Sequence, residues 1–271
     1  MIPLEDSYQD ILGKAQRGLK ISTGTLTHDA GIGQADYEKV LEGNFDEAIV
    51  RKAAPFLKLD ADRLVALGKK EWHPGITEFP DGLARTNTQF EDMTVNAYIV
   101  WDPATKKAAI FDTGADCEPL LKIISDKGLH PEYILLTHTH GDHIADLSKL
   151  TKATGASVHG PRSEVSGRAK PLDWGDTFPL GQLIIETRQT SGHAVGGTTY
   201  FIPGLITPVA VVGDAIFAGS MGGGAISYEE ALRTNRENIF TLPDATILCP
   251  GHGPLTTVGL EKAHNPFYPE F

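Results

Sequence analysis

Tyr133-Ile134-Leu135-Leu136-Thr137-His138-Thr139-His140-Gly141-Asp142-His143 is the stretch on which the reading of this chain turns. It opens as an apolar run of strand length and then becomes polar. His138 and His140 are two positions apart, so on an extended strand end they point the same way. Gly141 lets the chain turn sharply before Asp142 and His143. One short loop therefore offers three imidazoles and a carboxylate to a single space, a donor mix that suits zinc, iron or manganese. A merely polar loop has no need of so dense a cluster of histidines.

Three later residues share one kind of placement. His193 sits in TSGHAVGG (190–197), Asp214 ends the apolar run VAVVGD (209–214), and His252 sits in CPGHGP (249–254). Each lies beyond a strand-like run and next to glycine or a small residue. Taken alone, each is an ordinary loop residue; together they mark the strand ends where α/β sheets build sites. Asp112, in FDTG, reads either as a turn cap or as a partner that orients a ligand imidazole. His28, His73 and His130 read as surface residues, His159 as packed or exposed at a strand end, and Cys249 as a small core residue. His264 is a weaker pocket-lining candidate.

Around these residues the chain alternates strands and helices. Residues 96–102 and 108–114 predict a hairpin, and 117–128 a helix with Asp116 as N-cap and Gly128 just past its end. A helix of about eight residues is expected from His143. ASVHG, LIIET, TTYFI, PVAVVGD and TILCP predict five further strands, and 227–238 a helix with a Ser227/Glu230 capping box. This pattern is a layered α/β domain.

The first 75 residues are different. Leu26, Tyr37, Val40, Leu41, Ile49, Ala53, Leu57, Leu64 and Leu67 recur at helical spacing, and 71–82 reads as a linker or access loop. Residues 30–43 have helix-turn-helix spacing, with Ala30-Gly31-Ile32 as the turn, Tyr37 and Val40 packed, and Phe56, Leu57, Leu64 and Leu67 completing a small core. The second helix would display Gln34, Asp36, Glu38 and Glu42 against a single cation, Lys39, which argues against DNA. A dimerisation module, giving a homo-oligomer, or a cover for the site fits better.

Composition narrows the function classes. With 24 Lys and Arg against 35 Asp and Glu, the net charge is −11, which disfavours nucleic acid and anionic membranes as partners. Two cysteines, Cys117 and Cys249, make no disulfide framework. The acidic start MIPLEDSYQD has no signal-peptide character. The longest stretch free of Asp, Glu, Lys and Arg, 189–213, is broken by five glycines and two prolines and does not read as a membrane span. A cytoplasmic protein acting on a small molecule is expected.

HTHGDH, SGHAVGG, VVGDAIFAGS and CPGHGP together resemble the metallo-β-lactamase fold superfamily. The tail from GDAIFAGS to HNPF is most similar to its glyoxalase II-like branch, the hydroxyacylglutathione hydrolases and their relatives. The resemblance covers about residues 80–271. It implies an αββα sandwich over 76–271, preceded by a small all-α domain over 1–75, with a dinuclear metal site at one sheet edge. By that pattern His138, His140 and His193 hold one divalent ion, Asp142, His143 and His252 hold the other, and Asp214 bridges both. The implied ions are zinc, with iron or manganese as alternatives. The implied activity is cleavage of a small thioester or ester by a dinuclear-site hydroxide, with Asp142 as the catalytic carboxylate. The branch carries an arginine soon after the bridging aspartate, where this chain has Ser220-Met221-Gly222-Gly223-Gly224-Ala225. The resemblance thus implies thioester chemistry but leaves recognition of glutathione open, because the basic loop residue is missing. Two alternatives stand beside this reading: an iron-dependent redox enzyme of the same fold, similar to persulfide dioxygenases, and a metal-domain ligand sensor with a DNA-binding N-terminal module.

Overall fold

The computed structural model describes residues 2–165 and 169–271. Helices come first: α1 (Tyr8–Gly18), α2 (Thr23–Ala30), α3 (Gln34–Leu41), α4 (Glu47–Ala53) and, after a 3₁₀ turn at Ala54–Leu57, α5 (Ala61–Gly68). Gly31 closes α2 with a left-handed φ of 62°, so the expected turn between α2 and α3 is present. Tyr37, Val40, Leu57, Leu64 and Leu67 are buried as expected. Phe56 is not: it is 43% exposed, because the 3₁₀ turn carries Leu57 inward and leaves its neighbour outside.

Two six-stranded sheets follow. The first runs in the order β1 (Leu83–Phe90), β2 (Met93–Trp101), β3 (Lys107–Phe111), β4 (His130–Leu135), β5 (Ser157–Pro161), β6 (Lys170–Leu172). β1, β2 and β3 pair antiparallel, and β3 to β6 pair parallel. The second sheet contains β7 (Thr177–Leu180), β8 (Leu183–Gln189), β9 (Thr198–Ile202), β10 (Val209–Gly213), β11 (Ile247–Pro250) and β12 (Thr256–Thr257), in reverse spatial order, and only β10 and β11 pair parallel.

Period-two alternation divides each strand between two cores. Tyr98, Val100, Ala109, Phe111 and Leu135 face Ile185, Tyr200, Ile202, Val209, Val211 and Cys249 between the sheets. The intervening residues Ala97, Ile99, Ala108, Ile110 and Ile134 pack under α6 (Glu118–Lys127) and α8 (Leu147–Thr154), which flank the one-turn α7 (Gly141–Ile144). On the far side, Phe201, Ala210, Val212 and Leu248 share a third core with α1 to α5. That core also takes in α9 (Tyr228–Asn238) and α10 (Val258–His264). The chain is thus an all-helical region followed by a helix–sheet–sheet–helix sandwich, and the N-terminal helices help cover its second sheet. Among the described residues, no helix is long and apolar enough to cross a membrane.

Local details differ from the expectations. The N-cap of α6 is Cys117, and Asp116 instead accepts a hydrogen bond from the Glu118 N–H at 3.0 Å in a tight turn. The helix expected from His143 is split into α7 and α8. Ser227 caps α9, but the Glu230 carboxylate turns away to accept from the Ser191 hydroxyl, so only half of the capping box forms.

Candidate metal centre

The C-terminal ends of the parallel strands β3 and β4 meet those of β10 and β11 at one edge of the sandwich. The loop after β4 carries His138, His140, Asp142 and His143, and the β8–β9 turn carries His193. Asp214 follows β10 directly, and His252 follows β11. The sharp turn expected at Gly141 is absent: Gly141 opens α7 as a helical residue, and His140 before it is an extended N-cap with φ and ψ of −64° and 150°.

The seven residues form two adjoining groups. His138, His140, His193 and Asp214 make one, and Asp142, His143 and His252 make the other; within each group the donor atoms lie within 4.8 Å of one another. His140 Nδ1 is 3.1 Å from both His138 Nε2 and His193 Nε2. Ligand atoms at tetrahedral angles around zinc, with Zn–N of about 2.0–2.1 Å, are about 3.3 Å apart. In the second group, Asp142 Oδ2 is 3.2 Å from His252 Nε2 and 3.4 Å from His143 Nε2. Asp214 stands between the groups. Its Oδ2 is 3.4 Å from His193 Nε2 and 3.5 Å from His252 Nε2, and its Oδ1 is 3.3 Å from His143 Nε2.

Two buried atoms, His143 Nε2 and Asp214 Oδ1, have no hydrogen-bond partner among the described residues. Buried polar atoms left this way are costly, and a cation between them would satisfy both. The residues present therefore fit a pair of divalent cations. Two closely spaced donor groups support a dinuclear metal site.

Each ring is aimed from behind. His143 Nδ1 is 2.8 Å from Asp112 Oδ2, and His252 Nδ1 donates to the Thr94 carbonyl at 2.7 Å. His193 Nδ1 donates to the Gly223 carbonyl at 2.9 Å. His138 Nδ1 is 3.0 Å from the Thr137 hydroxyl, which donates in turn to Asp112 Oδ2 at 2.8 Å. With Nδ1 occupied, Nε2 is left to face the cluster on all four rings. His140 alone presents Nδ1. Asp112 thus holds the His143 ring from behind, the contact that the second of the two readings of FDTG requires, and it does so from a left-handed backbone with φ of 58°.

Sequence reading missed Glu164, which links two ligand loops. One carboxylate oxygen accepts from both the Thr139 N–H and its hydroxyl, at 2.8 and 3.0 Å, and the other accepts from the Gly196 N–H. It also missed the role of two glycines. A Cβ at Gly251 would lie 2.1 Å from Asp214 Oδ1, and one at Gly222 would lie 1.9 Å from the Asp214 carbonyl oxygen. Gly222 is therefore packed against the cluster and Gly223 braces His193 through its carbonyl, whereas a Cβ at Gly223 would meet nothing within 4 Å and one at Gly224 would meet Tyr228 of α9.

The electrostatics of the two groups differ. Burial opposes charge on Asp214, yet His143 and His252 beside it hold its carboxyl well below the usual carboxylate range. Asp142 is likewise held low: burial works against its charge, and the hydrogen bond from His252 and the neighbouring His143 outweigh it. Burial disfavours an imidazolium at His143, but Asp214 and Asp112 lift that ring to about 10. His252 rises to about 11, against burial, through Asp142 and Asp214. In the other group, burial pushes His138 and His193 down. Protons and metal cations compete for the same lone pairs, so the field that charges His143 and His252 is one that draws cations.

The remaining histidines lie elsewhere. His264 stacks on Trp72 at a centroid distance of 5.0 Å, outside the cluster. His159 packs edge-on against Phe178. His28 is exposed beside Asp29, and His73 bonds the Ile2 carbonyl.

Comparison with known proteins agrees with this architecture. Residues 91–252 match the Lactamase_B family, described as the metallo-beta-lactamase superfamily. The chain is similar to a probable metallo-hydrolase, YqgX, of Bacillus subtilis, at 31% identity over 198 residues, covering 64% of this chain and 91% of the relative. It is similar also to a hydroxyacylglutathione hydrolase of Cereibacter sphaeroides, at 32% identity over 160 residues, but spans only 61% of that protein's length and matches over 58% of its own. Among solved structures, the BLEG-1 B3 metallo-beta-lactamase superposes with a TM-score of 0.59 at 28% identity, covering 69% of this chain and 100% of the other.

Proposed function

The chain belongs to the metallo-beta-lactamase superfamily, and from that premise we propose that it is a metal-dependent hydrolase of small thioesters or esters, of the glyoxalase II-like branch. The observation that carries this reading is the pair of donor groups sharing Asp214 at one sheet edge. His138, His140 and His193 would hold one divalent ion, Asp142, His143 and His252 the other, and Asp214 would contact both. Zinc suits the imidazole-rich donor set, and iron and manganese are compatible with it. Such ions supply Lewis-acid polarisation of a carbonyl and acidification of water.

The protein's own groups do the rest. Asp142 is anionic and faces the cluster, so it can take the proton of a water attacking the carbonyl carbon. The new C–O bond forms as the C–S or ester C–O bond breaks, and the proton passes to the leaving thiolate or alkoxide. Asp112, Thr137, Thr94 O and Gly223 O hold the rings in the one orientation that keeps Nε2 inward. The small helical unit over 1–75 and the hydrolase unit over 76–271 are divided, in this reading, within the irregular stretch 71–82.

Zinc- or manganese-loaded protein should hydrolyse S-lactoylglutathione or uncharged thioesters, and His138→Ala should abolish the rate. A wild-type rate no higher than that of the variant across the whole panel rejects the proposal. One iron per chain together with oxygen uptake would favour the redox reading instead.

A further inference from the structure

The N-terminal segment lies outside the matched family region, yet it reaches the metal centre. A Cβ at Gly253, the residue after His252, would lie 3.1 Å from the Glu5 nitrogen, 3.4 Å from Glu5 Cβ and 3.6 Å from the Pro3 carbonyl oxygen. Asp6 accepts a hydrogen bond from Ser220, in the loop that leaves Asp214. Asp6 also pairs with Lys14 of α1, whose Nζ donates to the Met221 carbonyl at 2.9 Å and lies 5.0 Å from the Phe217 ring centroid. Phe217 in turn packs edge-on against His252 at 5.7 Å between centroids. At the chain start, the Ile2 carbonyl bonds His73. Residues 2–6 are thus pinned across the two loops that follow Asp214 and His252.

Charge is distributed unevenly within this strap. Asp6 neutralises Lys14, and the adjoining loop offers only Gly222, Gly223 and Gly224. Glu5 is half-buried, makes no hydrogen bond or ion pair among the described residues, and lies within electrostatic reach of His252 and Asp214. A partly desolvated carboxylate that no hydrogen bond or ion pair engages repels a second anion more strongly than an exposed one does.

We propose that residues 2–6 form a wall of the substrate cleft beside His252, and that Glu5 makes the site discriminate against substrates whose arm on that side carries a carboxylate. Resting on the hydrolase reading, this assigns the site to thioesters or esters that are uncharged or cationic there, and disfavours doubly carboxylated conjugates such as those of glutathione. Glu5 is a specificity-determining residue in this assignment, not a metal ligand.

Three small thiols that differ chiefly in charge test it by binding: mercaptoacetate, 2-mercaptoethanol and cysteamine, titrated calorimetrically into the zinc-loaded full chain. Wild type should rank them cysteamine, mercaptoethanol, mercaptoacetate. Glu5→Gln should raise affinity for mercaptoacetate relative to cysteamine by about three- to tenfold, and Glu5→Lys should move the ratio further the same way, with zinc content and melting temperature unmoved. A ratio that does not move in either variant overturns the proposal, as does loss of zinc on Glu5→Gln. If the ratio moves but no thioester or ester is turned over, Glu5 keeps its role and the hydrolase reading falls. A wild-type chain that takes up no zinc and binds no thiol overturns both.

Discussion

His138, His140 and His193 meet as three imidazoles, one buried, one half-buried and one exposed, whereas Asp142, His143 and His252 are all buried and include a carboxylate. Both groups draw on Asp214, yet the field around them is not shared equally. His143 and His252 are driven towards the charged form by Asp112, Asp142 and Asp214, while His138 and His193 are driven towards the neutral form by burial. One half of the cage is therefore neutral, nitrogen-rich and open to solvent; the other is charged, oxygen-bearing and enclosed. A dinuclear site built this way should bind its two cations with unequal affinity. Imidazole donors favour zinc in the first half, and the added carboxylate makes the second more tolerant of manganese or iron.

The most severe test of that inequality removes the shared oxygen donors. Asp214→Ala should strip both cations and lower turnover on the order of a thousandfold or more. His140→Ala should empty only the open half and leave about one equivalent per chain. Metal content by elemental analysis separates these outcomes, and equal depletion by both substitutions would show the halves to be a single cooperative unit.

The braces offer a finer cut. Asp112 Oδ2 meets His143 directly and His138 through the Thr137 hydroxyl, so it serves both halves. Glu164 touches only the backbone and hydroxyl beside His138, His140 and His193. Asp112→Ala should cost about 10–100-fold in affinity for both cations. Glu164→Gln loses one acceptor that now serves a backbone N–H, and it should weaken the open half by about tenfold while sparing the enclosed one. Stepwise chelation followed by titration with zinc reads the two affinities apart. A Glu164→Gln protein weakened equally at both sites would break the assignment of that brace to one half.

The clustered donor residues were legible because their chemistry is written in residue types at strand ends. HTHGDH and the isolated His193, Asp214 and His252 need no knowledge of the packing to be recognised as donors. The braces were not legible in the same way. Thr94 and Gly223 contribute carbonyl oxygens, which every residue carries, and Glu164 acts across sequence separations of 25 and 32 residues. Asp112 needs a left-handed backbone that its residue type permits but does not announce. Among the strands, β1 escaped notice because LARTNTQF has only two buried residues, and its register with β2, from Leu83 opposite Val100 to Phe90 opposite Met93, rests on backbone pairing. The helical region gave up its buried positions through their spacing, but nothing in that spacing says that Ile11, Leu12 and Leu57 share a core with Phe201 and Val212 of the second sheet.

The smallest effect concerns a residue that holds the loop after Asp214. Glu261, fully buried in α10, accepts from the Gly219 N–H in the loop after Asp214, from the Thr256 hydroxyl and from the Asn265 amide. Burial raises its carboxyl to about 7, and these three hydrogen bonds only partly oppose the rise. The folded state therefore holds the proton more tightly than the unfolded chain, where the group titrates near 4.5. Its stabilising contribution is complete below that value and is lost as the pH climbs through 7. Urea unfolding at pH 5 and pH 8 should show wild type losing about 1–3 kcal/mol relative to Glu261→Gln over that interval. Because Gly219 belongs to the loop that follows the carboxylate common to both halves and touches neither donor group, the substitution should leave the ratio of their zinc affinities unchanged. Parallel stability profiles would mean that burial does not raise the Glu261 carboxyl, and a shift in that ratio would mean that α10 is coupled to one half of the cage in particular.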